Sequence, residues 1–179
     1  YQNALATAGI EDAEIVVAGP YNISGTAALV GAIKSYENMT GETVSQENVD
    51  TATNELVVTG KLAESVGDSD KAEQLVGAVK EQVVEGSDNG KKLTEEEIGN
   101  VVDQAAQEMD VQLSDEDRQE IVDLMDKIKG LDIDVDSLKE QAKDLYDKID
   151  DLGLKLDWNQ EKVQGFFSKI IEFFKNLFS

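Results

Sequence analysis

Cysteine and histidine are both absent from the 179 residues, and there is one proline, Pro20, and one arginine, Arg118. Without His or Cys there is no Ser-His-Asp or Cys-His nucleophile, and no zinc site built from the usual ligands. A lone arginine cannot form an array of bidentate clamps for phosphate or nucleic acid. Basic charge is scarce in general: 16 Lys and Arg stand against 38 Asp and Glu, a formal charge of −22. Such a chain repels nucleic acid, whose affinity for proteins rests on cationic side chains neutralising phosphates. Aromatics are few, with one Trp, four Tyr and five Phe. No apolar run approaches the roughly 18 residues that a membrane span needs. The missing cysteines leave the redox compartment open.

Charge and aromatics are unevenly placed. All five Phe lie between Phe166 and Phe178, and residues 158–179 carry three Lys and two Glu. Residues 1–157 therefore hold −23 and residues 158–179 hold +1. The sequence divides into an acidic body, 1–157, and an amphipathic aromatic tail, 158–179.

Hydrophobic periodicity and punctuation predict a mainly α protein, a multi-helix bundle with a minor β element. Residues 2–8 read as the end of a helix, stopped by Gly9. Ala13-Glu14-Ile15-Val16-Val17-Ala18, closed by Gly19-Pro20, reads as a short strand near residues 13–18. Ser24 caps a helix running towards Tyr36, with Gly41 as its stop. Ser45 opens a long helix to Val66, and Gly67-Asp68 turns the chain. Another helix covers about 69–85, followed by a loop at Ser87-Asp88-Asn89-Gly90. Thr94 with Glu97 and Ser114 with Asp117 form two capping boxes twenty residues apart, and the pair reads as a helical hairpin. Gly130 ends the second helix. Ser137 with Glu140 caps a further helix to about Leu152, and a last helix starts near Asn159. The total is seven or eight helices and one or two short strands.

Several blocks are distinctive: Tyr1-Gln-Asn-Ala-Leu-Ala-Thr-Ala-Gly9, Ile15-Val-Val-Ala-Gly-Pro20, Ile23-Ser-Gly-Thr-Ala-Ala-Leu-Val-Gly31, Glu55-Leu-Val-Val-Thr-Gly60 and Gly130-Leu-Asp-Ile-Asp-Val-Asp136. Together with Gly165-Phe-Phe-Ser-Lys-Ile-Ile-Glu-Phe-Phe174 they resemble the YpuA-like family, domain of unknown function 1002, of secreted Gram-positive proteins. The resemblance implies export and no established activity, cofactor or catalytic residue. Family members usually carry a signal peptide and an upstream region before the block that matches Tyr1. The resemblance thus implies that this chain is the C-terminal part of a longer precursor. On that basis the strand at 13–18 is expected to pair with the upstream fragment of the precursor, with a second chain, or with Leu131–Val135.

Three chemical readings need weighing. Asp132, Asp134 and Asp136 open like an EF-hand loop, but Ser137 and Lys143 stand where Gly and a bidentate Glu are required, so a connector is expected and calcium would bind weakly at best. Glu95/Glu96/Glu97, Asp115/Glu116/Asp117 and Asp147/Asp150/Asp151 could in principle serve a hydrolase. Helix N-termini favour acids without any catalytic role, so no catalytic, cofactor-binding or metal residue is assigned. Gly19, Gly25 and Gly31 do not have phosphate-loop spacing.

The tail carries the most specific functional signal. Phe166, Phe167, Ile170, Ile171, Phe173, Phe174, Leu177 and Phe178 share one face at helical spacing and are the candidate interaction residues. This face could pack on its own body, join a protein partner or a second copy, or lie on a membrane surface. The resulting expectation is a secreted, non-enzymatic binding protein at the cell envelope or host interface. The alternatives are membrane association through the tail and, third, a carboxylate-dependent hydrolase.

Overall fold

Six helices make up the described part of the computed structural model, which comprises residues 1–10, 23–88, 92–131 and the single positions 14, 16, 18 and 133. They are α1 (Gln2–Thr7), α2 (Gly25–Thr40), α3 (Gln46–Val66), α4 (Ser69–Asp88), α5 (Glu95–Glu108) and α6 (Asp115–Ile128). The chain divides into two compact units, Tyr1–Ala142 and Lys143–Ser179. The second unit, the predicted helices from Ser137 and Asn159, and the boundary at 157/158 lie outside the described residues.

Local chemistry sets the helix ends. The Ser24, Ser45, Thr94 and Ser114 hydroxyls accept the backbone N–H three residues on, at 3.1–3.2 Å. Both capping boxes close: Thr94 N–H donates to Glu97 at 2.7 Å and Ser114 N–H donates to Asp117 at 3.3 Å. The Asp68 carboxylate accepts the N–H groups of Asp70 and Lys71 and so starts α4. At the end of α1 the chain makes a Schellman turn. Gly9 takes the left-handed conformation, φ +77°. Its N–H reaches the Ala6 carbonyl and the Ile10 N–H reaches that of Leu5, both at 2.9 Å. Leu5 and Ile10 then enter one cluster with Ala4, Ala8, Leu29, Ile33, Val49 and Ala52, which glues α1, α2 and α3.

Helix α4 is the centre of the bundle and packs against α3, α5 and α6. Its apolar face of Ala72, Leu75, Val76, Val79 and Val83 is buried completely. Polar Gln74, Lys80, Glu81 and Gln82 are buried too, so α4 is enclosed on more sides than its composition suggests. Helices α5 and α6 form the predicted hairpin, fourteen residues each with starts twenty apart. The Arg118 guanidinium clasps both carboxylate oxygens of Asp103, at 2.6 and 2.8 Å. Gly99 makes room for it, because a Cβ there would sit 2.4 Å from Arg118 Nη2.

Two expectations need correction. No strand occurs among the described residues, and positions 14, 16 and 18 of the expected 13–18 strand are exposed and unassigned. A strand exists only through a ladder, and none involves the described positions 14, 16 and 18; in the partner considered at Leu131–Val135, the described residues are a bend at Leu131 and a buried, non-strand Ile133. Ser87 and Asp88, expected in a loop, belong to α4, which continues through Asp88. Helix α2 runs through Tyr36 to Thr40 and ends at Gly41, as expected.

Candidate functional site

Two arrangements in the first unit bring chemistry-bearing groups together. The first is internal. Lys80 on α4 is 1% exposed, and its ammonium donates to Glu55 Oε1 on α3 at 2.9 Å, to the Asn3 carbonyl at 2.6 Å and to Thr7 Oγ1 at 3.1 Å. The Thr7 hydroxyl donates in turn to Glu55 Oε2. All three ammonium protons are satisfied, and both carboxylate oxygens are used. Asn3 also donates from its side chain to the Glu73 carbonyl, and Gly77 lets it approach, so side chains tie α1 to α4. Thr, Lys and Glu in contact are the parts of an activated nucleophile. Here they are enclosed, with Thr7 at 0% and Glu55 at 1% exposure, and no substrate can reach them. The cluster is a structural latch joining α1, α3 and α4.

The second arrangement is open. Helix α2 presents Ala27, Gly31, Ser35 and Met39 along one i, i+4 row, with Ala28, Ala32, Tyr36 and Thr40 along the next. These rows form the floor of a groove of about 450 Å³, with Glu14, Val16, Ala18 and Ile23 as its wall. Most of the lining is apolar. Ser35 folds its hydroxyl back onto the Gly31 carbonyl at 2.9 Å, which removes it from the floor. Nothing lies within 4 Å of the place a Cβ on Gly31 would occupy. Met39 is 85% exposed and Val16 82%, so large apolar side chains stand at the rim in water. At one end the Tyr36 hydroxyl donates to Glu42. Beside it, Glu37 accepts from Lys34 at 2.6 Å and from the Val44 N–H at 3.0 Å. The Lys34 hydrogen bond, then that of Val44, holds the Glu37 carboxyl below its ordinary value.

Other candidates fall elsewhere. Glu95, Glu96 and Glu97 occupy the first turn of α5, and Asp115, Glu116 and Asp117 that of α6. They serve as dipole partners and caps there. Among the described residues no group of three or more acidic side chains is placed to hold a metal ion. Asp132, Asp134, Asp136, Asp147, Asp150 and Asp151 lie outside the described residues, as does the aromatic face from Phe166 to Phe178. Sequence reasoning missed both arrangements above. Glu55 beside Leu56, and Lys80 between Val79 and Val83, interrupt apolar faces, and that was the available signal for the latch. The groove had a weaker one, small residues at 27, 28, 31 and 32.

The family described as "Protein of unknown function (DUF1002)" matches residues 1–145, a stretch that includes the latch and the groove. The chain is also similar to a Bacillus subtilis (strain 168) protein described as "Uncharacterized protein YpuA", with 38% identity over 141 residues. That alignment covers 79% of this chain and 47% of the relative, so the chain spans about half the length of the curated protein it matches. No solved structure matches.

Proposed function

This chain belongs to the DUF1002 family, whose description carries no activity, and from that premise we propose that it is a secreted, non-enzymatic binding protein acting at the cell envelope or host interface of a Gram-positive bacterium. The observation that carries the reading is the α2 groove: an apolar concavity, open at the rim, with Val16, Ile23 and Met39 exposed around it. Covering such side chains releases roughly 1.5–3 kcal/mol each when burial is complete. Small residues on the floor admit a partner closely, and contact of this kind needs no nucleophile. The acidic body adds solubility and repels wrong partners of like charge. Secretion is the part of the reading that rests on the family resemblance.

The groove is tested by Gly31→Leu, which adds a side chain pointing into open space on an exposed helix face. Nile red, a neutral apolar dye, should brighten on the native wild-type protein and lose most of that signal in Gly31→Leu. Thermal melting followed by circular dichroism should show the variant equally stable. A wild-type protein that fails to brighten the dye sinks the groove as a binding surface.

A further inference from the structure

We propose that the α2 groove receives a cationic amphipathic helix of about three turns from another protein; this rests on the groove being a binding surface at all. Its floor runs from Ala27 to Met39, which at ~1.5 Å per residue is about 18 Å, the length of three helical turns. Ala27, Gly31 and Ala32 keep that floor low, and helix axes approach to roughly 8 Å only where such small residues meet. Glu14, Val16, Ala18 and Ile23 line the groove beside that floor, so a helix laid along α2 would also touch them. An amphipathic helix would place its apolar i, i+3, i+4 and i+7 side chains against the floor and against Val16, Ile23 and Met39.

Charge selects the sign of the partner. Residues 1–50 contain seven acidic residues and one base, Lys34. That lysine is already engaged by Glu37 at 2.6 Å. Glu14 lies in the groove lining, and Glu42 is bound to the lining Tyr36. Lysines flanking the apolar stripe of the bound helix meet these carboxylates, and the −22 of the chain steers them in from a distance. An acidic helix, a nucleic acid or an anionic bilayer meets the same field with the wrong sign.

The test uses two synthetic peptides of roughly fourteen residues, about four turns, with leucines at helical spacing and either lysines or glutamates elsewhere. Fluorescence anisotropy on the full chain should show the lysine peptide binding and the glutamate peptide not. Gly31→Leu should weaken the lysine peptide by about tenfold, the equivalent of ~1.4 kcal/mol. Ala27→Leu, on the same exposed row, should act in the same direction and guards against a folding defect in either variant. Glu14→Lys should weaken binding and flatten its salt dependence. Lysine-peptide binding that persists undiminished in both groove-filling variants would be diffuse attraction to the acidic surface and overturns the proposal. So does a concentration-dependent dimer in sedimentation that Gly31→Leu abolishes, because a second copy would then own the groove. If Nile red binds the groove while the two peptides bind alike, the groove survives as a binding surface and the cationic partner does not.

Discussion

Inside the protein, three oxygens stand around the Lys80 ammonium where water would: Glu55 Oε1, Thr7 Oγ1 and the Asn3 carbonyl. A buried ion pair adds little net stability over apolar packing, yet losing one partner is severe. Lys80→Met should therefore destabilise the protein by about 3–5 kcal/mol, because the buried Glu55 carboxylate loses its ion-pair partner and keeps only the Thr7 hydroxyl. Urea unfolding measures this, and adding Glu55→Leu to Lys80→Met should recover more than half of the loss. A double variant no better than the single one would show that the cost lies in packing and not in the orphaned carboxylate. Both charges are visible in the sequence as breaks in apolar faces. Their pairing is not, because it depends on how α3 and α4 rotate against each other and on α1 arriving from more than 70 residues away.

At the scale of elements the α5–α6 hairpin was the most legible feature. Capping boxes and a twenty-residue offset located both helices, because caps are made by groups within one turn of each other. The offset match breaks at Ile98 against Arg118, and the structure gives the reason: Arg118 reaches over Gly99 to Asp103, so no apolar residue is wanted there. The joint after α5 was less legible. Asp110 takes the left-handed conformation, φ +51°, with its N–H on Gln107 and the Val111 N–H on Ala106, the same turn that Gly9 makes after α1. A left-handed L-residue costs roughly 1–2 kcal/mol, and the extra chain entropy of glycine returns part of that. Asp110→Gly should stabilise the protein by about 0.5–1 kcal/mol, read as a rise in melting temperature of a few degrees. A lower melting temperature would mean that Asp110 makes a compensating interaction. The short strand is the opposite case: a β-branched run states a preference that only a partner realises, and no strand occurs at the described positions 14, 16 and 18.

For the molecule as a whole, the helical class followed from periodicity, but the order of burial did not. Helix α4 carries Gln74, Lys80, Glu81 and Gln82 and still lies at the centre, which only the assembled bundle shows. Acidity shapes stability through the few carboxylates that join elements. Asp117 caps α6 and also accepts the Ser65 hydroxyl from the end of α3 at 2.7 Å. Burial pushes its carboxyl up, but hydrogen bonds from Ser114, Ser65 and the Ser114 backbone outweigh this and hold it below its ordinary value. The folded form then binds its proton less readily than the unfolded form, so the stabilisation is complete above about pH 4 and is lost as pH falls through the lower, folded value. In urea unfolding, wild type should exceed Asp117→Asn in stability at neutral pH, and the two should converge in strong acid. A gap independent of pH would mean that shape, not charge, matters at this joint. The latch has one more consequence, in the time domain. Asn3 and Thr7 precede Lys80 by more than 70 residues, so a chain emerging from a ribosome presents the α1 segment long before its anchor exists. Ala4, Leu5, Ala8 and Ile10 can be covered earlier by α2 and α3, so the polar closure of α1 onto Lys80 is a later, long-range step of folding.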